Sequence, residues 1–140
     1  QTVLAIPPIL DKKEYTDDIY NYFTALLNLA HLFRNRASHN GRIYNYKANY
    51  IHTPYIKSLH DSMGISKTKF KKEKLGHNDL YTLLRLLKEI DDQTPYIKLK
   101  VGIILSFQQH LSIYPNDKEF LYEQIGIPKN LFHKELEDIL

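Results

Sequence analysis

The chain has 140 residues, of which 43% are hydrophobic and 25% are charged, so it suits one globular domain and is too apolar for a disordered chain. It contains no cysteine, which excludes disulfide scaffolds, thiol nucleophiles and cysteine-based zinc sites. The net charge is +3, but the stretch from His31 to His77 holds ten lysines and arginines against two acids and carries +8, whereas the rest carries −5. This segregation favours an anionic partner, with nucleic acid ahead of a membrane surface.

The sequence gives no indication of a membrane segment or a secretion signal. The most apolar stretch, from Phe23 to Phe33, is interrupted by polar residues and is shorter than a bilayer requires. The first ten residues lack a basic region and contain Pro7 and Pro8, so they make a poor signal peptide. We therefore expect a cytoplasmic protein with no membrane partner and a single domain over residues 1–140. Because the chain begins with Gln1, it could also be a fragment of a longer protein.

The first half of the chain predicts one long helix followed by a loop. Residues 1–11 are expected to be extended or irregular, because prolines disfavour the helical region for the residue before them. A helix is predicted from Lys12 to His39, and Asn40 with Gly41 forms its stop signal. Residues 42–53 show no helical period and are predicted to be a loop. The apolar face of the long helix comprises Tyr15, Ile19, Tyr22, Phe23, Leu26, Ala30, Phe33 and Ala37.

Two shorter elements and a capped helix are predicted next. Pro54 can open a short helix that extends to about Met63. The lysine-rich residues 66–77 are expected to be an exposed connector or a frayed helix. Asn78 or Asp79 then caps a further helix. Its predicted buried positions are Leu80, Leu83, Leu84, Leu87 and Ile90.

The last part of the chain is also predicted to be helical. A helix should begin at Thr94 and Pro95 and end near Ser112. A turn at Pro115 and Asn116, a short helix over residues 117–124, a break at residues 126–128 and a last turn up to Leu140 complete the chain. The predicted buried face of the helix that begins at Thr94 comprises Ile97, Val101, Ile104, Phe107 and Leu111. No strand-like alternation is convincing, so the predicted fold class is all-α, a bundle of about five helices.

The densest chemistry of the sequence lies at the end of the long helix, in the motif R-N-x-x-x-H formed by Arg34, Asn35 and His39. Histidine can exchange protons near neutral pH, arginine can hold a phosphate through two hydrogen bonds, and asparagine can orient an imidazole or a hydroxyl. This set suits cleavage of an RNA phosphodiester by its own 2′-hydroxyl, which needs no metal. Asn35 and His39 share a helix face, but Arg34 is rotated from His39 by about 140°. The alternative is that Arg34 and His39 are simply solvated residues that cap the helix end.

The run from Phe33 to Asn45 resembles the Abi-like (abortive infection, AbiD/AbiF type) bacterial proteins, in which R-N-x-x-x-H is followed by x-x-R-(apolar)-(aromatic)-N. A second resemblance lies about 85 residues later, where residues 125–131 are similar to the closing Gly-(apolar)-Pro-x-x-Trp element of that family, with Leu131 in place of the Trp. Asn40 stands where the family has a second histidine. The two matches cover about residues 15–135, which corresponds to the C-terminal half of such a protein.

The Abi-like family belongs to the wider HEPN group, and the resemblance implies a HEPN-like bundle with one long helix that bears the motif. It implies a metal-independent endoribonuclease of phage defence, with His39 as acid and base, Arg34 as phosphate clamp and Asn35 as the orienting residue. It also implies a homodimer in which two motifs face each other, so that one subunit's Arg34 could serve the other's His39. No cofactor is expected. The domain could be held inactive by an antitoxin or a guide RNA.

Residues around the motif are further candidates for RNA binding, and each has a structural alternative. Arg42 could contact phosphate or could equally be structural. Tyr44 could stack on a base, but closure of the bundle end is the favoured interpretation for this residue. The lysine cluster from Lys67 to Lys74 could bind RNA or could be a solvated face. A metal site formed by His31, His39, His52 and His60 is improbable, because no short paired ligand motif occurs. The full set of predicted RNA-binding residues is Arg36, Arg42, Tyr44, Lys67, Lys69, Lys71 and Lys72.

Two other functions stay open at this point. One is a non-catalytic HEPN-type module that holds RNA or a partner protein through the basic stretch without cutting it. The other is a structural helical half-domain that works only together with a missing N-terminal portion.

Overall fold

Seven α-helices follow one another through residues 15–48 and 53–140, the residues that the computed structural model describes. Within these residues there is no β-strand, so the predicted all-α class is confirmed. The predicted irregular lead at residues 1–11 and the loop residues 49–52 lie outside the described part. The helices are α1 (Tyr15–Ser38), α2 (Lys57–Ser62), α3 (Lys67–Lys72), α4 (Leu80–Leu87), α5 (Thr94–Ile113), α6 (Lys118–Ile125) and α7 (Leu136–Ile139), with short 3₁₀ turns at Pro115–Asp117 and Lys129–Leu131.

Helix α1 packs against α4 through a stripe of apolar residues spaced three and four apart. The Tyr22 hydroxyl donates a hydrogen bond to the backbone carbonyl of Leu86, which fixes α1 to the C-terminal end of α4. The prediction that Ala37 belongs to the buried face is wrong, since Ala37 is exposed. Phe33 is the last buried residue of α1, and the final turn extends past the core. The buried residues of α1 are Tyr22, Ala25, Leu26, Leu29 and Phe33.

The segment between α1 and α4 is more ordered than the sequence predicts. Helix α2 begins at Lys57 and not at Pro54, because Ile56 is extended and places its side chain in the core. Residues 67–72, predicted as a connector or a frayed helix, form α3. The Ser66 hydroxyl caps α3 by accepting a hydrogen bond from the Lys69 N–H at 3.3 Å, and the side chain of Phe70 is buried.

Helix α4 starts at the cap that the sequence predicts. The Asp79 carboxylate accepts hydrogen bonds of 2.8 Å from both the backbone N–H and the hydroxyl of Thr82. The carboxylate is buried, and burial raises the pKa of Asp79 while the bonds from Thr82 act in the opposite direction. The predicted positions Leu80, Leu83 and Leu84 are buried, whereas Leu87 is only partly buried and Ile90, also partly buried, lies after the end of α4.

Helix α5 has the predicted extent but presents a different face to the core. Tyr96, Ile103 and Phe107 are buried, whereas Ile97 and Val101 are 52% and 48% exposed, so their predicted burial is wrong. Apolar residues occur on nearly every side of this helix, and periodicity therefore does not identify the side that faces the core.

The C-terminal residues close the bundle against α4. Gly126 ends α6 in a left-handed conformation, with φ of +100°, as the predicted break requires. The buried guanidinium of Arg85 donates to the carbonyl of Ile139 at 3.3 Å and to the hydroxyl of Ser62 at 3.1 Å. Helix α4 is thereby joined to both α2 and α7. No helix in the described part of the chain is long and apolar enough to cross a bilayer.

Candidate active site

Helix α1 ends in a turn whose backbone geometry is well defined. The N–H of Asn40 donates to the carbonyl of Ala37 at 3.1 Å, and the N–H of Gly41 donates to the carbonyl of Arg36 at 2.9 Å. This pair of bonds is the Schellman motif, which satisfies carbonyls that the helix end would leave without partners. The predicted stop is confirmed, and Asn40, with φ of +55°, is the residue in the left-handed conformation.

Asn40 suits the left-handed position of this turn, because asparagine adopts this conformation more readily than most other side chains do. The turn places His39 immediately after the last residue of α1, where a cation interacts favourably with the helix dipole.

The three motif residues are placed differently from one another. The side chains of Arg34 and His39 are exposed, and among the described residues neither has a hydrogen-bond or ion-pair partner. The Asn35 side chain is half-buried, and its amide nitrogen donates to the Nε2 atom of His31 at 3.1 Å. Asn35 thus orients the imidazole one turn before it. Arg34 and His39 are available for a ligand.

An exposed apolar stripe runs along α1 towards the motif. Tyr20 and Leu27 are 71% and 68% exposed, and their spacing of seven places them on one helix face. His31 and Arg34 continue that face, four and seven residues beyond Leu27. The stripe and the arginine of the motif would therefore meet the same partner.

The loop that follows α1 is fixed to the helix by Arg36. The Arg36 Nε donates to the carbonyl of Arg42 at 3.3 Å, and the guanidinium lies 5.3 Å from the centre of the Tyr46 ring. The Tyr46 ring in turn packs edge-on against Phe33, with ring centres 5.1 Å apart. Arg36, predicted as an RNA-binding residue, thus contacts the loop and Tyr46 while it stays exposed, and the side chain of Arg42 is also exposed.

The half-buried side chain of Tyr44 lines a cavity of about 300 Å³ between the loop and α5. Lys98, Gly102 and Ser106 of α5 line the opposite side. The sequence interpretation did not single out these three residues. A glycine in the middle of a predicted apolar helix was the signal that could have identified them, because it weakens the helix without an evident reason.

The predicted lysines all lie on α3, and they differ in their contacts. The Lys67 ammonium lies 5.8 Å from the centre of the Tyr55 ring, and the Lys69 ammonium donates to the side-chain carbonyl of Asn130. Lys71 and Lys72 are exposed. Two of the four lysines are thus held by neighbours and two point into solvent.

Helix α3 and the loop after α1 connect to the same short segment, residues 77 and 78. The His77 Nε2 pairs with the carbonyl of Phe70 at 2.8 Å, which anchors α3. The side-chain amide of Asn78 donates to the carbonyl of Ala48 at 3.1 Å, and the Ala48 N–H donates back to the carbonyl of Asn78 at 3.1 Å. The basic helix and the loop next to the motif are therefore attached to one structural support.

Within residues 15–48 and 53–140, no three side chains of histidine, aspartate or glutamate are grouped so that they could hold one metal ion. His52, one of the four histidines considered from the sequence, lies outside this part. His60 is buried and pairs with the carbonyl of Gly76 at 2.9 Å, so it is a structural histidine.

Comparisons of the chain with protein-family models, with curated proteins and with solved structures give no match. Arg34 and His39 each combine exposure, a phosphate-binding or proton-exchanging group and a position next to the ordered turn that ends α1.

Proposed function

We propose that this chain is a metal-independent endoribonuclease of a phage-defence or abortive-infection system. The observation that carries the proposal is the position of Arg34 and His39. Arg34 lies in the last turns of α1 and His39 directly follows the helix, and both side chains are exposed and have no hydrogen-bond or ion-pair partner among the described residues. The sequence resemblance of the R-N-x-x-x-H motif supports the same activity. RNA is the expected partner, in agreement with the basic stretch from His31 to His77.

Two motif residues act directly in the proposed reaction. His39 accepts the proton of a ribose 2′-hydroxyl, whose oxygen attacks the adjacent phosphorus, and the imidazolium formed at His39 donates this proton to the departing 5′-oxygen. The Arg34 guanidinium stabilises the additional negative charge on the phosphoryl oxygens during this step. Cleavage leaves a 2′,3′-cyclic phosphate and a 5′-hydroxyl, and the reaction needs no metal. Asn35 orients the imidazole of His31, which lies on the helix face of Arg34.

The active form in this proposal is a homodimer. Arg34 and His39 are separated by about 140° on a regular helix, so one chain does not bring them to one point without further movement. A second copy that packs on the exposed stripe of Tyr20 and Leu27 would place one subunit's Arg34 near the other's His39. Burial of these two side chains would also contribute favourable free energy to association.

Single substitutions test the catalytic roles. Arg34→Ala and His39→Ala should each lower the cleavage rate of single-stranded RNA by about a hundredfold or more, in buffer with EDTA, while the helical circular dichroism is unchanged. His133→Ala, which removes another exposed histidine, is the matched control and should cleave like the original chain. Full cleavage by both motif variants would reject the assignment.

A mixing experiment tests whether two copies share a site. When Arg34→Ala and His39→Ala chains are mixed in equal amounts, half of the dimers are hybrids, and each hybrid keeps one site with both residues if the site is shared. The mixture should then recover about a quarter of the original activity. A mixture that is no more active than either variant alone would show that Arg34 and His39 of one chain act together.

A second candidate is a module that binds RNA without cutting it. The observation that favours it is the Asn35 amide, which orients His31 and not His39. The exposed ammonium groups of Lys71 and Lys72 would then account for much of the affinity, and each removed lysine should reduce the salt dependence of binding by about one phosphate contact. RNA that is bound but stays intact with EDTA or with Mg²⁺ would support this function.

A further inference from the structure

The cavity between the loop after α1 and helix α5 has the properties of a binding site for one flat aromatic group. Its walls include the ring of Tyr44 and the side chains of Ile43, Leu99 and Phe107. Its volume of about 300 Å³ is at the small end of the range for ligand pockets, so it suits a group of the size of a single nucleobase. An aromatic wall favours a flat ligand, because ring faces stack.

Helix α5 contributes two residues with polar side chains, Lys98 and Ser106, to a lining that is mostly apolar. The Lys98 ammonium has no hydrogen-bond or ion-pair partner among the described residues, and its side chain is exposed. A mostly apolar lining with one unpartnered cation fits a base that carries a phosphate.

Gly102 indicates that this space is maintained at a cost in helix stability. It lies in the middle of the 20-residue helix α5 and lines the cavity. A Cβ atom built at this position has no atom of another described residue within 4 Å, so an alanine would fit there without a clash. Because glycine destabilises a helix interior relative to alanine, packing among the described residues gives no reason for a glycine here. A ligand that approaches the α5 backbone gives one.

We infer that this cavity binds one unstacked nucleobase of single-stranded RNA, with the adjacent phosphate on Lys98. The inference rests on the proposed function in taking RNA as the ligand. Tyr44 lies two residues after Arg42, whose carbonyl is held 3.3 Å from Arg36 in the last turns of α1. Two residues span about 7 Å at most, so Tyr44 lies close to the loop segment that the Arg36 side chain holds. A base bound in this cavity would allow the proposed enzyme to select the nucleotide next to the cleaved bond.

Binding of RNA in which every ribose is 2′-O-methylated tests this inference without any cleavage, because such RNA has no 2′-hydroxyl to attack. In a set of fluorescent strands of about ten nucleotides, each with one abasic position, a single position should weaken binding by about tenfold, and the others should have little effect. In the variant Gly102→Leu, the intact strand should bind about tenfold more weakly and the abasic penalty should disappear. Lys98→Met should leave the abasic profile unchanged and reduce the salt dependence by about one phosphate contact.

Ser112→Leu, which places the same side chain on an exposed position of α5 outside the cavity lining, is the matched control and should bind like the original chain. Circular dichroism of both leucine variants checks that α5 is intact. An unchanged affinity and abasic profile in Gly102→Leu, or an equal loss in both leucine variants, would overturn the base site. If the chain cleaves unmodified RNA in that case, the proposed function survives without the base site. A chain that cuts no RNA but shows the predicted profile retains the base site and loses the nuclease.

Discussion

The contact between Gly126 and Asp79 gives the most quantitative prediction about this fold. Gly126 has a φ of +100°, and a Cβ atom placed on it would overlap the buried carboxylate of Asp79. That carboxylate holds the N-terminus of α4 through its two bonds to Thr82. The substitution Gly126→Ala should therefore disturb the end of α6 and the start of α4 together.

The expected loss of stability has two parts. A left-handed backbone costs a non-glycine residue about 1–2 kcal/mol. Displacement of the Asp79 carboxylate removes the cap of α4, worth about 1 kcal/mol, and leaves the buried hydroxyl of Thr82 without its acceptor, at a similar cost. The total is about 3–4 kcal/mol, which is a large fraction of the stability of an ordinary domain. At about 3–4 °C per kcal/mol, the melting temperature should fall by about 10–15 °C.

Urea unfolding followed by circular dichroism measures this loss, and a double-mutant cycle separates its parts. In the background of Asp79→Ala the carboxylate is absent, so Gly126→Ala should cost only the backbone strain of about 1–2 kcal/mol. Gly102→Ala is the control, because it makes the same chemical change in a helix interior and should stabilise the chain by about 0.5–1 kcal/mol. A cost for Gly126→Ala below about 1 kcal/mol, or an unchanged cost without the Asp79 carboxylate, would refute the reasoning.

Three further predictions concern titration, a buried hydrogen bond and the turn after α1. Burial raises the folded-state pKa of Asp79. The contribution of this carboxyl to the free energy of unfolding is therefore largest below about pH 4 and is lost as pH rises through the folded pKa. In urea unfolding at several pH values, Asp79→Asn should remove this dependence of stability on pH. Tyr22→Phe should cost about 0.5–1.5 kcal/mol in the same assay, because the carbonyl of Leu86 loses one of its donors and keeps the N–H of Glu89 at 3.4 Å. Asn40→Gly should keep the left-handed turn and the cleavage rate, whereas Asn40→Val should cost about 1–2 kcal/mol and lower cleavage by displacing His39, as measured by unfolding and RNA cleavage.

The elements that the sequence predicts well are those whose signals are local. The cap at Asp79, the stop at Asn40 and Gly41, and the break at Gly126 each depend on a few neighbouring residues, and each occurs where predicted. Helix α5 is predicted in extent for the same reason, since Thr94 and Pro95 mark its start.

The errors concern properties that depend on the whole bundle. Ile97 and Val101 of α5 are exposed although they belong to a regular apolar stripe, because a helix that is apolar on nearly every side can face the core with any of them. The predicted burial of Ala37 is wrong for a related reason, because the last turn of α1 extends past the core. The cavity beside Tyr44 is formed by residues more than 50 positions apart in the sequence, so neither its presence nor its lining could be predicted.

The backbone turn at the end of α1 explains why the proposed enzyme would need a second copy of the chain to complete its site. The Schellman turn fixes the backbone on both sides of His39, so the histidine cannot move far towards Arg34 without breaking the hydrogen bonds of Asn40 and Gly41. Arg36 adds to this constraint by holding the loop from the other side. Because Arg34 lies on the face that carries the exposed Tyr20, a second copy that covered this face in the proposed dimer would also complete the site. Association and catalysis are thus coupled in the proposed enzyme, and loss of the apolar stripe would remove activity without any change in the motif itself.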